Sequence, residues 1–187
     1  MATTEDELLA RTLEARLLSE ESFAGTIKAQ YPFWDAQYRP YLLAAVDQLP
    51  VERFDYKPRP EMMTAQQVIL HIAEAERWWI HHIVEGEAYE DWVVEHEDPA
   101  QGFVTMYDAP DHNAMKFALE EYHRHTQRIF GLPASELEKK TTRTRRDGTT
   151  EEYTLHWILA HTEEHEIHHR AQLNMYLRML GITPPSV

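Results

Sequence analysis

Residues 154–181 read TLHWILAHTEEHEIHHRAQLNMYLRMLG and carry a clear helical pattern. The apolar residues of this stretch recur three or four positions apart, as on the buried face of an amphipathic helix. They are Leu155, Ile158, Leu159, Leu173, Tyr176 and Leu177. The pattern predicts a helix from about Thr154 to Leu180 that stops at Gly181, because glycine commonly follows the last turn of a helix.

Proline and glycine divide the preceding chain into three further segments with helical spacing. The first helix is predicted over about 21–48, with a separate short helix over 5–19 before it. The second begins near Thr64, whose hydroxyl is a suitable N-cap, and the third spans 111–131, from Asp111 to Gly131.

The segment 141–153 has an alternating pattern around the turn pair Asp147-Gly148, which predicts a small hairpin before the last helix. Four amphipathic helices without a convincing sheet predict an all-α protein, a four-helix bundle that folds as one domain over residues 1–187. Bundles of this kind hold metal ions in their core, between facing helices.

Composition limits the ligands and partners. The chain has no cysteine, so a metal ion would have to be held by His, Asp or Glu. The formal net charge of −14 disfavours nucleic acid and anionic membranes as partners. The sequence starts at Met1 with neither a signal-peptide pattern nor a long apolar run, so a cytoplasmic protein without membrane association is expected.

One basic segment, KKTTRTRR at Lys139 to Arg146, departs from this acidic character. It either holds an anionic group at the mouth of a site or forms a solvated arm of the hairpin. The second interpretation is favoured, because runs of charge usually face solvent.

The histidines give the strongest functional signal. His161, His165 and His169 follow one another at intervals of four, so each ring advances by about 40° and 6 Å along the predicted helix. They continue its apolar stripe and are expected to point inward. His71 lies in the apolar stretch VILHIAEA of the second helix, at residues 68–75. Buried imidazoles need hydrogen bonds, a counter-charge or a metal ion, and the metal interpretation is favoured here.

The remaining histidines are assigned elsewhere. His82 follows His71 by eleven residues on nearly the same face, but about 16 Å further along the axis, so it cannot share an ion with it. His156 and His168 are assigned to the surroundings of the metal or to an interface. Five others lie near charged residues or helix ends and are expected on the surface, namely His81, His96, His112, His123 and His125.

The run HEIHH at 165–169 also matches the HExxH pattern, in which Glu166 would be the general base of a zinc protease. Such proteases take their third ligand from downstream. Residues 170–187 contain no His, Asp or Glu, so this alternative is disfavoured.

The sequences LHIAEAE at 70–76 and HEIHHRAQ at 165–172 together resemble the DinB/YfiT-like superfamily of metal-dependent enzymes. The similarity of layout extends over about 30–180, which leaves 1–20 as an N-terminal extension. Ala171 stands where the family usually has glycine.

The resemblance implies a four-helix bundle, often dimeric, in which His71, His165 and His169 hold a divalent ion. It thereby selects the pair His165 and His169 over the pair His161 and His165, a choice that the spacing leaves open. Zinc or nickel is expected, and iron or copper is also compatible with three imidazoles.

The resemblance also implies a range of activities, which include thiol S-transferases. We therefore expect a divalent-metal-dependent transferase or hydrolase acting on a small molecule, with a low-molecular-weight thiol as a candidate cosubstrate, in a homodimer. The alternative is a non-catalytic, metal-containing binding or structural protein of a stress response.

Further side chains near the expected ion are candidates for supporting roles. Glu74 and Glu166 are candidate catalytic residues that orient a ligand or relay a proton, although a solvated face is the favoured interpretation for both. Arg170 and Gln172 either bind substrate or fix the helix to its neighbour. Three tryptophans either line an apolar pocket or belong to the core, with the second interpretation favoured, namely Trp78, Trp79 and Trp157. The sequence assigns no definite role to His161.

Overall fold

The structure of the protein is a computed structural model, and it describes residues 7, 9–12, 25–88, 96–98, 103–105, 109–145 and 147–186, with backbone alone at 96–98 and 103–105. The described chain is mostly helical, which confirms the predicted fold class at this level. Its main helices are α1 (Arg39–Gln48), α2 (Ala65–Glu76), α3 (His112–Phe130) and α4 (Leu155–Met179).

Two helices are extended by π-helical segments. Trp34–Tyr38 precedes α1, and Arg77–Val84 continues α2. The expected start of the first helix near residue 21 is wrong over the described residues. Gly25 has a φ of 85°, a short 3₁₀ turn covers Ile27–Gln30, and Pro32 disfavours helical backbone at the residue before it. Of the predicted helix over 5–19, Glu7 and residues 9–12 are described and helical, and the remainder lies outside the described residues.

The predicted N-cap of α2 is confirmed, and α3 and α4 begin where the sequence predicts. Thr64 and Gln67 form a reciprocal capping box at the start of α2, with N···O distances of 3.1 and 2.8 Å. The side chain of Asp111 caps α3, and that of Thr154 caps α4. Gly181, with a φ of 78°, ends the last helix as expected.

The predicted hairpin is also confirmed. Strands β3 (Lys140–Thr144) and β4 (Thr150–Thr154) pair antiparallel across a turn that contains Gly148 at a φ of 80°. A second antiparallel pair, β1 (His96–Asp98) with β2 (Phe103–Thr105), was not expected from the sequence.

The helices pack around two apolar clusters. Helix α2 contacts both α3 and α4, and α1 contacts the same two helices. One cluster joins α1 and α2 to the C-terminal part of α4, and the other joins Trp34 and the π segment after α2 to the N-terminal part of α4. Among the described residues, no helix combines the length and apolar character needed to cross a bilayer.

Between the two apolar clusters, the buried face of α4 carries polar side chains other than the histidines. Thr162, Glu166 and Arg170 occupy the fully buried face, and His165 and its neighbours one turn away on either side are half-buried. The histidine stripe was expected to face straight inward, and this is wrong. The buried side chains are those that follow each histidine by one residue. Glu166 takes the inward position because α1 supplies a buried cation opposite it.

That cation is Arg39, which is 5% exposed. Its Nη2 lies 2.6 Å from Oε2 of Glu76 on α2 and 2.7 Å from Oε2 of Glu166 on α4. Its Nη1 donates to the carbonyl oxygen of Leu119 on α3 at 3.0 Å. One guanidinium thus connects all four helices.

His123 on α3 extends this network. Its Nδ1 lies 2.7 Å from Glu76 and its Nε2 lies 2.7 Å from Asp35, and Thr126 also donates to Glu76. The expected surface position is therefore wrong for His123, which is 3% exposed. It is also wrong for His81, which is 6% exposed on the π segment. The side-chain position of His96 lies outside the described residues, and His112 and His125 are half-buried.

The network fixes the charge of Glu76. Burial alone would raise the pKa of its carboxyl, but the charges of His123 and Arg39 and the hydrogen bonds outweigh burial and lower the pKa from 4.5 to about 2. Burial lowers the pKa of His123, but Glu76 and Asp35 outweigh this and raise it overall.

We expect the free energy of unfolding to fall by a few kcal/mol as the pH drops from 4.5 to about 2. Over this interval the unfolded chain binds a proton at Glu76 that the folded chain does not, so acid favours unfolding. Urea denaturation at several pH values measures the slope. Glu76→Gln should flatten it, and Glu52→Gln, a change at an exposed position, should leave it unaltered. Equal slopes in all three proteins would contradict this assignment.

Candidate metal centre

Three histidines from two packed helices meet at one point. His71 comes from α2, and His165 and His169 come from successive turns of α4. One nitrogen from each ring can be chosen so that all three lie within 4.8 Å of one another. The Nε2 atoms of His71 and His165 are 3.2 Å apart, and the ring centroid of His169 lies 4.8 Å from that of His71 and 4.4 Å from that of His165.

The rings are neutral at physiological pH. Burial, followed by the charge of His169, lowers the pKa of His71 from 6.5 to about 4. Burial and the neighbouring imidazoles lower the pKa of His165 to about 3, and burial also lowers that of His169. A metal ion requires a nitrogen lone pair, so neutral rings are in the state that binds it.

A chain of hydrogen bonds orients His169. Its Nδ1 lies 2.9 Å from Oε1 of Gln172, so a proton on Nδ1 is donated to that oxygen and Nε2 keeps its lone pair. The amide nitrogen of Gln172 donates to the hydroxyl of Tyr176 at 3.1 Å, and this hydroxyl donates to the carbonyl oxygen of Met63 at 3.1 Å. Gln172, a predicted substrate-binding residue, thus supports a candidate ligand.

This donor set fits a divalent transition-metal ion. Two nitrogens bonded to one tetrahedral zinc at about 2.0–2.1 Å lie roughly 3.3 Å from each other. The separation between His71 and His165 is 3.2 Å, close to that value. Three neutral imidazoles, with no thiolate in the chain, suit zinc, nickel, iron or copper better than magnesium or calcium.

The two candidate catalytic carboxylates are buried, contrary to the solvated face favoured from the sequence. Glu166 is 1% exposed, and besides Arg39 it accepts a hydrogen bond from Nε1 of Trp34 at 2.8 Å. Burial raises the pKa of Glu166, and the charges of Arg39 and His123 oppose this rise. Glu74 is also buried on α2. The observed contacts of Glu166 favour a structural role, and a catalytic role for either carboxylate stays a prediction.

Arg170, predicted to bind substrate or to fix α4, contacts the segment that leads into and forms α1. It is buried, and its guanidinium lies 5.5 and 5.9 Å from the ring centres of Tyr38 and Tyr41. Its Nη1 is 3.5 Å from the carbonyl oxygen of Tyr38. These contacts agree with the second of the two predicted roles, and substrate binding stays a prediction.

A ladder of aromatic rings leads along the hairpin and α4 to the three histidines. Its members follow at intervals of four residues, and they are Tyr153, Trp157, His161, His165 and His169. Successive ring centroids are 4.4, 4.8, 6.4 and 4.4 Å apart. Trp157 is 42% exposed, and its ring packs against Trp79 at 5.3 Å. The ladder joins the surface to the histidine cluster.

The basic segment contributes one side chain to this region. The guanidinium of Arg143 lies 5.3 Å from the ring centre of Trp78 and 5.9 Å from that of Trp79. The other cations that the structure pairs are held across the hairpin, Lys140 with Glu152 and Arg145 with a neighbouring carboxylate. Most of the segment is therefore a hairpin arm, as favoured from the sequence.

The fold and the site together define a class of protein. It is a mostly helical protein whose candidate metal centre consists of three half-buried, neutral histidines. The model of the DinB family matches residues 29–187, and the chain therefore belongs to the DinB family, as the sequence motifs predicted. This membership agrees with a metal-related function, although it specifies no reaction.

A solved structure supports the same fold. The crystal structure of a DinB-like protein from Bacillus subtilis is similar over 80% of this chain and 90% of that chain, with a TM-score of 0.58 and 18% sequence identity. None of the curated proteins searched matches the sequence. At this identity the likeness concerns the fold alone.

Proposed function

We propose that the protein is a divalent-metal-dependent transferase or hydrolase that acts on a small molecule, and that His71, His165 and His169 hold the ion. The observation that carries the proposal is the convergence of three neutral imidazoles from two helices within 4.8 Å. Three protein ligands leave at least one coordination position for a substrate or water, which is typical of catalytic rather than structural sites.

A divalent ion held there would act as a Lewis acid that lowers the pKa of a water molecule or of a thiol. The side chains of the protein prepare the site for it. Burial keeps the three imidazoles neutral, and Gln172 holds the proton of His169 on Nδ1. The three rings are half-buried rather than fully enclosed, which is compatible with access of a small molecule.

The aromatic ladder supports a substrate with an apolar or planar part. Trp157 and His161 stack nearly parallel, at 13°, and form a surface on which such a group can pack beside His165. Arg143, which lies over two tryptophans and 3.9 Å from Glu151, is the candidate cation for an anionic group of the substrate or of a low-molecular-weight thiol.

Two alternatives differ in what they require. A zinc protease of the HExxH type needs the carboxylate of Glu166 beside the ion, and this carboxylate is instead held by Arg39 and Trp34. A non-catalytic metal-containing protein of a stress response needs only the ion. The burial of the candidate acid–base residues Glu74 and Glu166 is the observation that favours this second candidate.

We further propose that the four main helices form one four-helix bundle domain, because α1 and α2 each pack against α3 and α4. The homodimer and the cytoplasmic location expected from the sequence stay predictions.

Gln172→Leu should weaken zinc binding at the three-histidine centre by roughly 10–100-fold, because loss of a supporting hydrogen bond lets a ligand ring rotate. Competition with a chromophoric chelator measures the zinc affinity. The zinc ion in question is the one whose binding is lost in His169→Ala. Gln127→Leu, an equal change on the exposed face of α3, is the matched control. Unchanged affinity in Gln172→Leu would contradict the supporting role of this side chain.

Cobalt-loaded protein should develop a sulfur-to-metal charge-transfer absorption with at least one small thiol, or should hydrolyse an activated ester faster than free cobalt does. His169→Ala should lose either property, and Glu164→Ala, at an exposed position on the same helix, should keep it. Neither signal in the wild-type protein would contradict the enzyme proposal and favour the non-catalytic alternative.

A further inference from the structure

We propose that His81, Glu85 and His125 form a second divalent-metal site, separate from the three-histidine centre. His81 lies on the π segment that continues α2, Glu85 directly follows that segment, and His125 lies on α3. One ligand atom from each of the three can be chosen so that all lie within 4.8 Å of one another. The proposal does not depend on the proposed function.

The side chains of this group are already in contact. The rings of His81 and His125 stack with centroids 3.6 Å apart at an angle of 26°. The Nδ1 atom of His125 lies 2.5 Å from Oε2 of Glu85. Two ligands of one zinc ion lie roughly 3.3 Å apart, so the ion would have to enter between His125 and Glu85 and separate them slightly. Both side chains are partly exposed and can make this adjustment.

The backbone holds His81 in the tautomer that a ligand needs. Its Nε2 is 3.3 Å from the carbonyl oxygen of Tyr122. A carbonyl oxygen only accepts hydrogen bonds, so Nε2 carries the proton and Nδ1 carries the lone pair. Histidines that bind metal ions commonly donate their other N–H to a carbonyl or a carboxylate in this way.

The proposed site is open to small ions. It borders a pocket of about 580 Å³ whose lining includes Glu85, Glu87, Glu121 and Arg77. Glu87 places Oε2 at 3.7 Å from Nδ1 of His81, so a further carboxylate lies close to the proposed ion. Glu87 is also paired with Arg77, Glu121 with Arg124, and Glu85 lies 3.8 Å from Arg128, so the charge of the surroundings is largely balanced and the proposal rests on the three donor atoms.

The donor set indicates the kind of ion. Two imidazoles and one carboxylate suit zinc, nickel or copper, whereas magnesium and calcium prefer oxygen ligands alone. An ion with these three ligands would keep an open position toward the pocket. His81 faces α3 because it lies on a π segment, whose wider turns change which side chains point toward the neighbouring helix. Such segments occur often at functional sites.

Counting bound zinc by equilibrium dialysis and elemental analysis tests the proposal on the full chain. The wild-type protein should bind two equivalents, His125→Ala one, His169→Ala one, and the double variant none. His156→Ala, which removes an exposed histidine at the start of α4, should keep both and so controls for adventitious binding to surface imidazoles.

Glu85→Gln provides a second test at an exposed residue where a folding defect is not expected. Glu85→Gln should weaken the binding of the zinc ion whose binding is lost in His125→Ala. The loss of affinity should exceed the roughly tenfold loss that follows removal of a residue that only supports a ligand. A zinc count and affinity unchanged in both His125→Ala and Glu85→Gln would overturn the second site. An unchanged count in His169→Ala would instead overturn the three-histidine centre, so the two failures are distinguishable.

Discussion

The buried guanidinium of Arg39 holds the four main helices in register with one another. It is shared between Glu76 on α2 and Glu166 on α4, and it also binds a carbonyl oxygen on α3. A charge in the interior is tolerated only when it is paired and hydrogen-bonded, so these contacts fix how the helices are rotated about their axes. Removal of one partner of such a network typically costs about 3–5 kcal/mol, because the other charge is left buried.

The rotation of α4 determines where its histidines point. Successive residues of an α-helix are about 100° apart, so an inward Glu166 places His165 at the edge of the interior rather than at its centre. The same network holds Glu76, five residues after His71, and thereby fixes α2. The histidine cluster is therefore half-buried, and this burial lowers the pKa values of its rings.

The sequence predicted those features that depend on local chemistry. The period of α4, the cap at Thr64, the starts of α3 and α4 near Asp111 and Thr154, and the hairpin turn follow from side-chain and backbone properties within a few residues. The histidine cluster could be predicted for another reason. A polar ring in an apolar stretch, and histidines repeated at intervals of four residues, are both visible in the sequence. The choice of His169 over His161 came only from the resemblance to a family.

The features that the sequence did not predict depend on partners far along the chain. His123 and Glu166 looked solvated because their neighbours are charged, and only the arrival of Arg39 and Asp35 from a distant segment makes their burial favourable. The π segments were missed because helical periodicity assumes a constant turn, and so the inward position of His81 was missed as well. One signal was present for Glu76, which lies at helical spacing from Ile69, Ile72 and Ala73.

We propose that one divalent ion binds between α2 and α4. Anomalous diffraction at the zinc absorption edge, from crystals of the zinc-loaded protein, locates such an ion without ambiguity. We expect a peak bonded to one nitrogen each of His71, His165 and His169 at about 2.0–2.1 Å. Density with no anomalous peak among these rings, or an ion that leaves the ring of His71 uncoordinated, would contradict it.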